Sequence, residues 1–284
     1  MNPDDRQGLV KTRGLAGKAL ADARGLAALC NQHEGLDLPL NLDAAGYQFL
    51  HYEDGRLVGI LTLQVNGEIE GCLAVDPGHR RRGVGRGLMA AAGAACRQQG
   101  ASSVLLVCEE ASRSGMAFVE AVGARYSSSE YRMKLDADAS PGPLPAQGPI
   151  RLRQADAGDV QVVAQVIAIA FGHSEDIERR RRERDIQKPS HRFYIARVND
   201  EPVGSLGVVA HGDRVWIVAF GVLPEFRGRG YGRQMLAETA GMLRAEHWQE
   251  ILIEVATDNR NALSLYQSCG FRETTCYGYY RMDV

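Results

Sequence analysis

The chain has 284 residues, 45% of them hydrophobic, with 33 Lys and Arg against 35 Asp and Glu for a formal net charge of −2. That length and apolar content suffice for two cores of roughly 140 residues each, and the balanced charge argues against a general nucleic-acid binder, which needs a concentrated basic surface. The N-terminus lacks a basic segment followed by an apolar stretch, and no run of about 18 apolar residues occurs, so neither export nor a membrane span is expected and a cytoplasmic protein is.

A helix is predicted from Leu15 to Leu29, followed by strands at Tyr47 to Tyr52, Leu57 to Val65 and Glu68 to Val75. Next come a glycine loop, a helix through Leu88, Met89, Ala92 and Cys96, and a strand from Ser103 to Cys108. Residues 136–149, with Pro141, Pro143 and Pro145 among small and acidic residues, read as an extended linker between domains 1–135 and 150–284.

The second half repeats the order. Asp156 and Asp159 start a helix with Val160, Val163, Ile167 and Phe171 on its apolar face. The run Arg179 to Arg182, among acidic neighbours, reads as a solvated helix face. Strands are predicted at Phe193 to Val198, Val203 to Ala210 and Val215 to Val222. After the second glycine loop come a helix carrying Met235, Leu236, Thr239, Met242 and Leu243, a strand from Glu250 to Val255, and a helix from Asn261 to Gln267 that Gly270 ends. The six cysteines show no C-x-x-C spacing and no histidine cluster, so they read as small buried residues and no metal is expected.

The two halves are copies. Val75, Pro77, Arg80, Gly83, Gly85 and Gly123 recur as Val222, Pro224, Arg227, Gly230, Gly232 and Gly270, each displaced by 147 residues, as from 75 to 222. A period that long implies a duplicated domain rather than a stacked array. Each loop lies between a buried strand and an amphipathic helix, where glycines let the backbone approach a phosphate and the unpaired N–H groups of the helix start face the anion. The dinucleotide fingerprint lacks its third glycine and later acid here, and the Gly-Lys-Ser/Thr of a P-loop is missing, so a nucleotide-dependent oxidoreductase ranks well behind.

The segment Val222-Leu-Pro-Glu-Phe-Arg-Gly-Arg-Gly-Tyr-Gly-Arg-Gln-Met-Leu236 resembles the acyl-CoA motif of the GNAT superfamily of N-acetyltransferases. Glu254-Val-Ala-Thr-Asp-Asn259 with Tyr266 and Gly270-Phe271 resembles the second conserved segment of that superfamily. The resemblance in the first half runs from Val75 to Met89 and thins afterwards. It implies an α/β (α+β) protein of two tandem GNAT-like domains, each a mixed, mostly antiparallel twisted sheet flanked by helices, with splayed fourth and fifth strands that admit the pantetheine arm.

Carried over position by position, the resemblance implies that the backbone of Phe220 and Val222 bonds the pantetheine, and that Arg227, Gly228, Arg229, Gly230, Tyr231, Gly232 and Arg233 hold the pyrophosphate of acetyl-CoA, the cosubstrate. Asn259 matches a position whose amide contacts the cofactor arm and equally suits a helix cap. Tyr266 matches the tyrosine that protonates the departing thiolate, against a plain packing role, and a phenol with pKa about 10 can donate at neutral pH. Glu254, 12 positions earlier, matches the proposed base of enzymes that acetylate ribosomal-protein N-termini; its alternative is an ion-paired strand residue.

In the first copy Tyr266 falls on Val119, Glu254 on Val107 and Asn259 on Ser112. Valine cannot carry a proton, so the N-terminal domain is expected to be non-catalytic while keeping a cofactor-binding set of Val75, Arg80, Arg81, Arg82, Gly83, Val84 and Gly85. Glu109 and Glu110 read as surface or capping residues rather than replacement bases. An active C-terminal half resembles the layout of the mycothiol synthases.

Acceptor choice is expected to rest on the region from His173 to Ser190 and on Tyr277, Tyr279 and Tyr280, at least one of which is core by strand alternation. The reading is an acetyltransferase acting by direct attack of a primary amine, from a small molecule or a peptide N-terminus, in a monomer or homodimer without nucleic-acid or membrane partners. A non-catalytic acyl-CoA sensor is the alternative.

Overall fold

A computed structural model describes residues 7–42, 46–66, 68–139 and 149–284. The chain divides into two compact units, Met1–Glu130 with Thr275–Val284, and Tyr131–Thr274. Most of the expected linker, 140–148, lies outside the described residues.

Unit 1 contains β1 (Gly8–Arg13), α1 (Gly17–Glu34), β2 (Tyr47–Glu53), β3 (Arg56–Asn66), β4 (Glu68–Val75), α2 (Val84–Gln98), β5 (Ser103–Glu109), α3 (Arg113–Ala121) and the start of β6 (Arg125–Leu135). β1 to β4 pair antiparallel in chain order. β4 and β5 are parallel, paired only at Glu70↔Leu105 and Gly71↔Leu106. The other edge of β5 pairs antiparallel with the final strand, from Tyr277↔Glu109 to Asp283↔Ser103.

Unit 2 holds β7 (Arg151–Gln154), α4 (Val160–Phe171), α5 (Glu175–Asp185), β8 (His191–Val198), β9 (Glu201–His211), β10 (Arg214–Val222), α6 (Tyr231–Ala245), β11 (Glu250–Ala256), α7 (Arg260–Ser268) and the start of β12 (Phe271–Asp283). β7 to β10 again pair antiparallel in chain order, β10 and β11 are parallel, and β6 neighbours β11. Each unit is thus a mixed, mostly antiparallel sheet with helices, the expected fold class.

The units do not follow a single cut at the linker. β6 carries 131–135 into unit 2, where Met133 is 0% and Leu135 5% exposed in the main core. β12 carries Thr275–Val284 into unit 1, where Tyr280 joins the α2 core. Tyr277, Tyr279 and Tyr280 therefore all belong to unit 1: Tyr277 donates to the Asp37 carbonyl and Tyr279 to Glu130. There β12 pairs antiparallel with β5, from Tyr277↔Glu109 to Asp283↔Ser103.

Helix signals read as expected. Asp156 and Asp159 form a reciprocal capping box, and Gly172 and Gly270 take left-handed conformations after α4 and α7. Met235, Leu236, Thr239, Ala240 and Leu243 form the buried face of α6. Five cysteines are buried and all six are free thiols.

The arginine run in α5 departs from a solvated face, because Glu178, Arg182 and Asp185 at three- and four-residue spacing are buried. Arg182 lays its guanidinium 4.7 Å from the Phe193 ring centre and pairs with Glu178 at 3.4 Å, while burial pulls its pKa down. A long aliphatic stem and a face-on cation let arginine cover an aromatic that a shorter charged residue could not.

Candidate active site

In unit 2, β10 and β11 pair from Arg214↔Glu250 to Ile217↔Ile253, and the register ends there. From Val218 and Glu254 onward the strands part, which is the splay expected of fourth and fifth strands. The same stretch of β10 carries a bulge against β9, with Ala219 at φ 49°. A bulge places two successive residues on one face and re-aims those after it. Ile217 lies in the α6 core and Ala219 packs toward the α4 cluster, yet Phe220 and Val222 return to the α6 side. Alternation without the extra residue would have turned Phe220 toward α4.

Beyond β10 the chain makes a short 3₁₀ turn, Pro224–Phe226, and enters α6 through Gly228 (φ 75°) and Gly230 (φ 83°). A Cβ on Gly228 would meet nothing within 4 Å. The loop therefore offers bare backbone and the N-terminal amides of a 15-residue helix to an anion. These features fit the diphosphate of a coenzyme A thioester. Arg227 braces the loop, donating through Nε to the Val222 carbonyl (3.0 Å) and through Nη2 to the Ala170 carbonyl (2.9 Å). Arg229 lies over the Phe226 ring, Tyr231 is buried, and Gly232 is crowded by Leu265, Phe220 and Val222. Arg233 lies one residue further into α6.

Tyr266 on α7 sits in this core, edge-on to Phe220 with ring centres 5.9 Å apart. Burial alone drives its phenol well above the ordinary value, so it stays protonated at neutral pH and keeps a proton to give. Glu254 occupies the opposite face of β11 from Ile253 and Val255, which belong to the Tyr266 core. It stands at the point where β10 and β11 part, pairs with Arg132 at 3.4 Å, and keeps about a third of its side chain exposed (35%). Asn259 caps α7, its Oδ1 accepting from Ala262 N–H. Of the sequence-derived residues, Phe220, Val222, Gly232 and Tyr266 come together, and Glu254 lies on the other face of β11, paired with Arg132.

Unit 1 has the same groove in altered form. A cavity of about 630 Å³ is lined by Leu73, Val75, Gly83, Gly85, Val107 and Val119 among others. These are the counterparts of Phe220, Val222, Gly230, Gly232, Glu254 and Tyr266. Arg80, like Arg227, donates through Nε to the preceding strand, here the Val75 carbonyl. Arg80, Arg81, Val84 and Gly85 all border the cavity, and Arg82 lies in the same loop. Ser112 caps α3 as Asn259 caps α7.

Two differences go beyond the valines. The β3–β4 register runs without a shift from Gly59↔Val75 to Val65↔Ile69, so β4 lacks the β10 bulge. Glu109 is buried rather than on the surface, because its carboxylate accepts the Asp37 N–H at 2.8 Å and holds the 36–38 segment, whose Leu36 and Leu38 line the cavity.

The model of the Acetyltransferase (GNAT) family matches residues 21–124 and 162–271, once in each half. The chain belongs to the GNAT acetyltransferase family. It is an acyltransferase, and the GNAT family uses acetyl-CoA. A mycothiol acetyltransferase of Clavibacter michiganensis subsp. michiganensis is 30% identical over 241 residues, covering 80% of this chain and 77% of that protein. Another from Thermobispora bispora is 27% identical over 286 residues, covering 93% and 92%. In fold, the chain matches a GCN5-related N-acetyltransferase from Sphaerobacter thermophilus with TM-score 0.76 at 19% identity, covering 97% of this chain and 95% of that one. It also matches a tandem GNAT protein from the clavulanic acid biosynthesis pathway, with TM-score 0.75 at 21% identity and coverage of 97% and 98%. No helix among the described residues is long and apolar enough to cross a membrane.

Within this GNAT frame, the bulge at Ala219 and the Arg132 partner of Glu254 escape a sequence reading. Alanine carries no signal for a left-handed backbone, and Arg132 lies 122 residues from Glu254.

Proposed function

We propose that unit 2 transfers acetyl from acetyl-CoA to a primary amine of a small molecule or peptide N-terminus, and that unit 1 holds coenzyme A without turning it over. The amine attacks the thioester carbonyl, the tetrahedral intermediate collapses, and the thiolate leaves with a proton from Tyr266. Glu254 takes the acceptor's proton directly or through water. The Gly228 to Arg233 loop holds the diphosphate, and the backbone of Phe220 and Val222 after the β10 bulge bonds the pantetheine and orients the acetyl carbonyl.

The observation that carries this reading is the difference between two copies of one groove. Unit 2 combines a donor phenol, a carboxylate and a bulged strand where unit 1 has two valines and a regular one. The mycothiol acetyltransferase relatives support acetyl transfer to an acceptor.

The test is Tyr266→Phe in the full chain. Turnover with a responsive amine should fall by roughly 10²–10⁴-fold, the range of general acid catalysis, with acetyl-CoA affinity kept. Unchanged turnover would remove Tyr266 from the mechanism. Calorimetry on the same protein should count two coenzyme A sites per chain.

A further inference from the structure

Glu254 sits at an awkward place for a residue that must be held still. Toward β10 its neighbour is lost, because pairing ends one residue earlier at Ile217↔Ile253. Toward β6 it keeps Arg132, and that contact is built unlike a surface ion pair. Arg132 is 6% exposed, its Nε lies 3.4 Å from Glu254 Oε1, and its guanidinium carbon lies 4.7 Å from the Trp216 ring centre.

A buried guanidinium is costly to desolvate and persists where a carboxylate and an aromatic face compensate it. Its planar fork also loses less freedom per contact than a lysine would. By contrast, Glu250, four residues back on the same strand, is shared by the more exposed Lys134 and Arg214, both at 2.7 Å, in the manner of an ordinary cross-strand pair.

We infer that Arg132 is a positioning residue for acetyl transfer: seated over the Trp216 ring, it fixes the Glu254 carboxylate at the opening between β10 and β11. This rests on Glu254 being the base. A reacting group displaced by about 1 Å can cost 10²-fold in rate, so a base at the edge of a strand opening needs such a brace. Arg132 precedes the linker in sequence, so the catalytic unit takes this brace from the chain's first half.

The experiment compares Arg132→Met, Arg132→Lys, Trp216→Leu, Glu254→Gln and the double variant R132M/E254Q in the full-length protein, using the amine that gives best turnover. R132M should lower kcat roughly 10- to 100-fold, with the acetyl-CoA Kd and Tm near the parent's. R132K should recover part of that loss, and W216L should reproduce part of it. The double variant should be no slower than E254Q, because both changes disable one device.

If R132M fails to fold, R132K and W216L carry the comparison. Turnover of R132M within about twofold of the parent, or independent losses that multiply in the double variant, would overturn the inference while leaving a strongly impaired E254Q to support the base. Parent-like turnover of E254Q would sink the base reading, and the inference with it.

Discussion

Glu34 illustrates how a single side chain can organise the first copy. It lies at the end of α1 and receives Arg80 Nη1, Ser112 Oγ, and both the N–H and Oγ of Ser114, so one carboxylate ties the glycine loop to the start of α3. Desolvation pushes its pKa up, but the hydrogen bonds from Ser114 and Arg80 outweigh this and bring it from 4.5 down to about 2. A carboxylate with a depressed folded value stabilises the fold above its unfolded value, and that contribution is lost as pH falls through the folded one. Urea midpoints should therefore drop between about pH 4.5 and about pH 2 more steeply in the parent than in Glu34→Gln, which keeps the shape without the charge. Equal slopes would assign the acid sensitivity elsewhere. Glu34 is invisible in the sequence, where it closes a helix whose predicted end falls five residues earlier.

At the scale of elements, β10 is the strand that distinguishes the copies. Its bulge holds Ala219 at φ 49°, a conformation that costs a non-glycine residue about 1 kcal/mol or more. Replacement by glycine should leave turnover intact and stability within about 1 kcal/mol, since relief of strain and added chain entropy oppose each other. Ala219→Val should destabilise by roughly 1–3 kcal/mol, because a branched side chain tolerates that region worst. Deleting Ala219 should abolish turnover by turning Phe220 away from Tyr266. Denaturant melts and steady-state rates on the three variants check the series, and an active deletion variant would separate the bulge from the chemistry. α5 is the converse case: its composition reads as solvent-facing, and only its packing on Phe193 shows that every third or fourth charge is buried.

For the whole molecule, the consequence of the two exchanged strand ends is that neither half of the sequence is a complete unit. A fragment of residues 150–284 lacks Arg132, Met133, Lys134 and Leu135, two of which are core side chains of unit 2. Losing two large buried side chains costs several kcal/mol, comparable with the whole stability of a small domain. The fragment should lose its cooperative melt and its turnover, whereas the full chain keeps both. A folded, active fragment would show that unit 2 does not depend on β6. Circular dichroism with a free-CoA release assay distinguishes the outcomes.

The elements, the duplication and the phosphate-facing loops were legible in the residues alone, because these rest on local periodicity and on glycines whose backbone needs are written in their residue type. So was the copy that carries Tyr266 and Glu254, since a valine excludes proton transfer wherever it lies. It took the folded chain to reveal that Glu254 pairs with Arg132, that Ala219 bulges, that Glu109 is buried and that 131–135 and Thr275–Val284 change units. Each of these depends on pairing between segments far apart in the chain, and strand pairing is chosen by the burial of whole faces rather than by the residues being paired.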